Sequence, residues 1–551
     1  MPPVPLQASE SSESPEPPVS LTEDTGADSG ANPARWSAAW VATGGRFTPS
    51  MLLLVALVVG ALLMPLVFFR LQRDQASFAY IALCWLNGLA PYTDLPTHQF
   101  PGQLMLYAGI FKLLGVSEIA VRAADLILQV IAALALAGIV ARFTRPLTGF
   151  LAAVLFALQY VGAGPWNTSN RETYQIAFLL PIIYWLMFGG LRPWLDKVAA
   201  VVAGVVVTLV LLIKPTIGLA LLPLAWVIFS PGTSAQPPGV WRRRVPFIIL
   251  GGVLLAAVCA GLFAGHWTAA YEFLITYNAE VYSRLLPFED IRSQLLSAFF
   301  FQGLYLVPFV CLVWGSEQRP VLIRLFAIHV GLFVAVLVQG RGFGYQCWAV
   351  SPFLLLWTTL FIDCVVGRTF AACRGSGQRK SSLLAGTAVF LLVLGIPYGS
   401  PAMFSSYAGV LADGSLTQGL MAPVWDETIA WLRVHVRPGE RMFFFGHDMG
   451  VQFLMRIPPI SRVTTGVLDL RDETLNTHPL MLRLKQRMMA DLERAPPAWI
   501  LVAVYDETWI SKSGIKSLHS FPAFADFLRR GYVVVRSSQT GYVIFRRRPP
   551  A

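Results

Sequence analysis

The run MLLLVALVVGALLMPLVFF at residues 51–69, followed at once by RLQRDQ at residues 70–75, decides how the rest of the chain is read. It carries no charge and matches the roughly 20 apolar residues a helix needs to cross a hydrocarbon layer of about 30 Å. Similar runs recur at 119–141, 147–162, 173–190, 198–213, 216–229, 246–265, 295–314, 321–339, 346–366 and 383–398, which makes about eleven spans. The pair flanking Lys214 and Pro215 reads as two spans or as one broken span. Composition agrees: of 551 residues, 55 % are hydrophobic and only 13 % charged, against roughly a quarter charged in soluble proteins. Such a chain has too little polar surface to face water. Its net charge of +11 does not point to nucleic acid, because the basic residues fall in short clusters between apolar runs rather than on one face.

Those clusters orient the chain. With the N-terminal tail inside, Arg142 and Arg145, Arg192 and Lys197, the Arg242, Arg243 and Arg244 triplet, Arg319, and Arg368, Arg374, Arg379 and Lys380 all fall in cytoplasmic loops, as the positive-inside rule requires. Outward turns hold isolated cations only, among them Arg171, Lys214 and Arg341. An odd number of spans then leaves the C-terminal region outside.

Three regions follow. Residues 1–50, rich in Pro, Ser and Glu, read as a disordered cytoplasmic tail and not as a signal peptide. Residues 51–398 form the membrane region, with a large first external loop at 70–118. Residues 399–551 change to an α/β pattern: a helix at 425–436, a turn at 437–440, strands at 441–445 and within 496–504, a helix at 521–530, and a closing strand pair at 532–535 and 542–545. The external loop contains two apolar segments, 76–86 and 101–114, too short to span. They are expected to lie at the outer interface and roof the membrane region. A second long external region runs from 266 to 294. The six cysteines, Cys84, Cys259, Cys311, Cys347, Cys364 and Cys373, sit in or beside apolar runs without ligand spacing and read as core residues.

Asp74 stands just past the first span. It reads either as a solvated helix cap or as a carboxylate at a low-dielectric boundary, where desolvation favours a general base. Lys214 interrupts an apolar stretch, so it either snorkels or serves a function. Arg341 lies among glycines, in a flexible turn or against a ligand. Arg171 and Glu172 cap a span or line a site. Tyr92, Asp94 and His98 belong to the external loop, as solvated residues or along an acceptor path. His447 and Asp448 follow a strand and read as a loop. Asn167-Thr168-Ser169 has the form of a glycosylation sequon in a short outward turn.

Asp74 with Tyr80-Ile81-Ala82 and Asn87-Gly88-Leu89-Ala90-Pro91-Tyr92-Thr93-Asp94 resembles the first external loop of type C glycosyltransferases, the group that contains protein O-mannosyltransferases and lipid A aminoarabinose transferases. Four further stretches resemble the group in order: Gly115 through Arg122, Ile213-Lys214-Pro215-Thr216, Gly344-Tyr345 through Ser351-Pro352, and Trp425 through Arg462. The resemblance implies a polytopic helical membrane protein with a C-terminal extracytoplasmic α/β domain. It implies transfer of a sugar from a polyprenyl-phosphate donor to a hydroxyl on a lipid, glycan or protein acceptor, at the outer side of the cytoplasmic membrane. Asp74 would be the base, with Lys214, Arg341 and Arg171 on the donor phosphate and Tyr92, Asp94 and His98 toward the acceptor. Many members place a second acidic residue near the loop Asp. Here Gln75 follows and Arg73 precedes, a poor divalent site, so neither a metal nor another cofactor is expected. The competing readings are a transporter or lipid flippase, which would show a repeat between halves, and a non-catalytic envelope scaffold that tolerates loss of Asp74.

Overall fold

The computed structural model describes residues 46–229, 240–284, 306–313, 318–339, 344–374, 408–409, 422–437, 439–446, 449–463, 475–504, 515, 518–538 and 541–549. The predicted tail up to residue 45, the predicted span at 383–398, most of that at 295–314, and Arg341, His447 and Asp448 lie outside the described residues. Helix α1 spans Pro49–Leu63 and continues as a tighter turn, Met64–Phe68. It starts inside the predicted tail because the Thr48 side chain accepts the Met51 N–H and proline follows at the first helical position.

Beyond it come α2 (Arg73–Leu86), α3 (Pro101–Leu114), α4 (Glu118–Phe143), α5 (Pro146–Gly162), α6 (Arg171–Phe188), α7 (Pro193–Ile213), α8 (Gly218–Phe229), α9 (Val240–Leu262), α10 (Arg319–Val338) and α11 (Ser351–Arg374). Among the described residues, five segments are long and apolar enough to cross a membrane: Pro49–Phe68, Glu118–Phe143, Pro193–Ile213, Arg242–Leu262 and Arg319–Val338. At Lys214 and Pro215 the chain breaks: α7 ends at Ile213, a 3-10 turn covers Pro215–Ile217, and α8 resumes at Gly218. Pro215 has no N–H to continue the ladder. The stretch predicted as one span at 346–366 instead begins with a 3-10 turn, Gly344–Ala349, and the helix starts at Ser351. Pro352 sits in that helix's first turn, where a proline is tolerated.

Membrane helices gain little from hydrophobic burial against one another, so close approach through small residues matters. Helices α7 and α9 show it. A Cβ on Gly204 would stand 1.9 Å from the Ile248 carbonyl oxygen, and one on Gly251 2.0 Å from that of Val201. A continuous apolar core joins α1, α4, α5, α6, α10 and α11.

The C-terminal part contains α12 (Ala422–His435), β1 (Met442–Phe445), α13 (Gly450–Met455), α14 (Pro479–Arg494), β2 (Trp499–Ala503), α15 (Pro522–Gly531), β3 (Tyr532–Ser537) and β4 (Tyr542–Arg547). The strands form one mixed sheet, ordered β1-β2-β4-β3. Strand β1 runs parallel to β2, with Met442 opposite Trp499, and the other pairs are antiparallel. A bulge lies between Val534 and Arg536.

Because strand side chains alternate, the sheet buries two faces. Phe444, Trp499, Leu501 and Ile544 pack with α2 and α3, while Phe443, Phe445, Ile500 and Val502 meet α14, α15 and the π-helical segment Glu272–Val281. The two short loop helices therefore lie beneath the sheet and share its core.

Candidate active site

Asp74 occupies the first turn of α2, where the exposed N–H groups and helix dipole favour an anion. A capping box forms the turn: the Gln72 N–H donates to Gln75 Oε1 at 2.8 Å. The Gln75 amide also donates to the carbonyls of Thr168 at 2.5 Å and Pro165 at 3.0 Å. Gln75 is fully buried. A carboxylate at position 75 has no proton to give these two carbonyls, so the buried site calls for an amide.

Arg122 fixes the turn from below. Its fully buried guanidinium donates to the carbonyls of Phe69, Arg70 and Pro165, to Gln75 Oε1 at 2.9 Å, and to the hydroxyls of Thr168 and Ser169. Ser169 passes the chain on to the buried Asp125 carboxylate at 2.8 Å, which also accepts from Tyr160 and Gln129. Glu118, at the start of α4, holds the segment just before Asp74: it takes the Leu71 N–H at 2.8 Å and the Arg70 Nε at 2.7 Å. Arg70 in turn reaches both oxygens of Asp426 on α12. The sequence reading did not single out these supports. A buried Arg and Asp one helical turn apart at the head of an apolar run was the signal available.

No hydrogen bond or ion pair engages the Asp74 carboxylate among the described residues, and it is only partly buried. It lies close enough to Arg171, Tyr345 and Tyr107 to act on each electrostatically. Arg171, first residue of α6, donates to Gln99 Oε1 at 2.6 Å and packs its guanidinium over Phe78 at 5.7 Å. The next residue, Glu172, is buried and pairs with Lys214 Nζ at 2.5 Å. Lys214 also donates to Gln339. Glu172 acts on Tyr345 and Cys347 in the turn just after Arg341.

Three of the residues singled out from sequence, Asp74, Arg171 and Lys214, thus belong to one cluster. His98 sits at its edge, against Gln99 at 2.8 Å and stacked on Tyr282 at 4.6 Å. Tyr92 and Asp94 point elsewhere. Tyr92 adopts φ 70° and is buried against Phe263, its hydroxyl on the Gln99 carbonyl at 2.8 Å. Asp94 caps its own turn through the Ala90 N–H and faces Arg462 at 4.0 Å. Asn167, of the sequon-like triplet, donates to the Ala163 carbonyl at 2.9 Å.

The fold has a counterpart among known structures. ArnT from Cupriavidus metallidurans bound to undecaprenyl phosphate superposes with a TM-score of 0.54 at 14 % identity, covering 90 % of this chain and 97 % of that one. The chain has the fold of the type C glycosyltransferases. The apo form of the same ArnT gives a TM-score of 0.55 at 14 % identity, with the same coverage of 90 % and 97 %. An oligosaccharyltransferase from Archaeoglobus fulgidus, tethered to an acceptor peptide, gives 0.47 at 12 % identity over 90 % of this chain and 74 % of that one. A family model described as dolichyl-phosphate-mannose-protein mannosyltransferase matches residues 98–262, from His98 through α9. No curated protein matches the chain in sequence. The matched stretch of this type C fold includes Arg122, Arg171, Glu172 and Lys214.

Proposed function

We propose that this chain is a membrane glycosyltransferase that moves a sugar from a polyprenyl-phosphate donor to an acceptor hydroxyl on a lipid, glycan or protein, at the outer side of the cytoplasmic membrane. The observation that carries the reading is a carboxylate, Asp74, without a hydrogen-bond partner among the described residues, at a braced helix N-terminus in the field of Arg171, with Lys214 in the same cluster. About eleven spans, with the N-terminus inside and the C-terminal α/β region outside, would put this cluster where a lipid-borne phosphate meets water. The polyprenyl phosphate seen on ArnT supports the donor class.

In the reaction the Asp74 carboxylate takes the proton of the acceptor hydroxyl as its oxygen attacks the anomeric carbon. The bond from that carbon to the phosphate oxygen breaks on the opposite face, and the electron pair leaves with the lipid phosphate. Negative charge grows on the phosphate, and Arg171 and Lys214 offset it, together with Arg341. Arg171 presents a planar fork suited to two phosphate oxygens, and Lys214 a point charge now balanced by Glu172. The C-terminal sheet covers the loop helices and contributes to acceptor binding.

The test is mass spectrometry of envelope lipids, glycans and glycoproteins from cells lacking the protein, complemented with wild type or Asp74→Asn. A glycosylated species should vanish on deletion, return with wild type and stay absent with the variant. An unchanged glycan profile on deletion would sink the proposal.

A further inference from the structure

We propose that Glu172 and Gln103 recognise hydroxyl groups of the transferred sugar, an assignment that rests on the donor reading above. Glu172 is 1 % exposed; its Oε1 pairs with Lys214, whereas Oε2 has no side-chain or hydroxyl partner among the described residues. Gln103 is fully buried, and neither its oxygen nor its nitrogen has a partner among the described residues. Leaving such groups unmatched costs about 1–3 kcal/mol each, and an apolar side chain of the same shape would avoid it. Polar atoms kept at that cost beside a reaction site point to a ligand that completes them.

Placement identifies the ligand's chemistry. Gln103 stands in the first turn of α3, one turn before Tyr107 on the same face, while Gln99 lies just ahead of the helix. Gln99 holds Arg171, and the Tyr107 ring meets Tyr174 of α6 edge-on at 6.4 Å. Gln103 thereby lies four residues after the Arg171 contact and four before the Tyr107–Tyr174 pair, and its neighbour Gly102 packs on the end of α7, where an added Cβ would stand 2.5 Å from the Ile213 nitrogen, next to Lys214.

An anion does not suit this set, because Glu172 repels it and Arg171 and Lys214 already offer the cationic side. A hydroxyl suits both residues: it donates to Glu172 Oε2 and both donates to and accepts from the Gln103 carboxamide. The donor lipid's phosphate and its sugar would then be read by different side chains of one site.

The experiment compares wild type, Gln103→Met and Glu172→Gln as full chains in lipid nanodiscs. Native mass spectrometry measures affinity for undecaprenyl phosphate and for undecaprenyl-phosphate-linked pentose, hexose and aminopentose. Gln103→Met should bind the bare lipid phosphate within about twofold of wild type, lose about tenfold for the preferred sugar-loaded lipid, and melt no lower than wild type, since an unmatched polar group is replaced by a similar apolar one. Glu172→Gln, which also frees Lys214, should lower the ratio of loaded to bare affinity by about the same factor. Equal changes for bare and loaded lipid in either variant would overturn the assignment. If wild type binds bare and loaded lipid alike, the assignment fails while the donor reading stands. If wild type binds neither, the donor reading itself fails. Should Glu172→Gln not fold, Gln103→Met decides alone.

Discussion

Replacing Arg122 by lysine keeps the charge but removes the fork, and the structure sets the cost. Six oxygens lie within hydrogen-bond distance of the guanidinium. A lysine ammonium has three N–H groups at a single point, so three or more of those acceptors lose a donor in a site closed to water. At about 1.5–3 kcal/mol for each hydrogen bond to a charged group that is lost, the loss is roughly 4–9 kcal/mol, a large share of the 5–15 kcal/mol by which proteins are stable. In a chain of this length the melting midpoint should fall by on the order of 10 °C. Intrinsic tryptophan fluorescence during heating in nanodiscs reads the change directly. Arg142→Lys is the control, since among the described residues its guanidinium makes a single hydrogen bond, at 3.4 Å to the Tyr184 hydroxyl, and it should shift far less. An Arg122→Lys midpoint within about 2 °C of wild type would refute the claim that this guanidinium braces the Asp74 turn.

Other expectations are more local. Gly204→Ala places a methyl 1.9 Å from the Ile248 carbonyl oxygen and should destabilise α7 against α9 by about 1–3 kcal/mol. Gly60→Ala, with nothing within 4 Å, should not, and equal melting of the two variants would contradict the packing account. A double-mutant cycle on Arg70→Ala and Asp426→Ala should give a coupling of at most about 1 kcal/mol, because Asp426 is largely solvent-exposed. Resistance of the C-terminal region to limited proteolysis should fall in each single variant, and strict additivity would remove the pair as a link. Glu440 takes hydrogen bonds from the Trp499 indole N–H at 2.7 Å and the Arg437 N–H at 2.9 Å, which hold its carboxyl below the ordinary range. A depressed folded-state pKa stabilises above the unfolded value of about 4.3 and loses that contribution as pH falls through the folded value. Glu440→Gln should therefore flatten the acid limb of the stability profile, as urea melts across pH 3 to 6 would show.

Apolar runs were legible in sequence because lipid imposes them: 51–69 and 119–141 correspond to Pro49–Phe68 and Glu118–Phe143 almost residue for residue. Helix α14 was not singled out, since with a mixed polar face it lacks a strong apolar run, and its Leu480, Leu484 and Met488 are buried in a cluster shared with the sheet, α15 and the Glu272–Val281 segment. Asp74 and Arg171 could be named from loop position, but their proximity is a tertiary fact. Gln75 looked like a missing acid in sequence. Its two carbonyl partners come from residues about ninety positions away, so nothing local revealed why an amide stands there. Tyr92 looked like a loop residue and is core, because its neighbours Phe263 and Gln99 fold over it.

The contacts that seat the loop helices under the sheet also set an order of events in synthesis. Arg70 meets Asp426 across 356 residues, and the Tyr80 hydroxyl meets the Ile457 carbonyl across 377. At roughly 5–20 residues per second, a ribosome needs about 20–70 s to make the intervening chain. Throughout that interval α2 lacks its cover, and Asp74 stands on a helix whose outer neighbours have yet to arrive. The loop helices are covered only once the sheet strands have been made, so a chain stalled or cut before β4 would carry Asp74 without the sheet that packs on its helix.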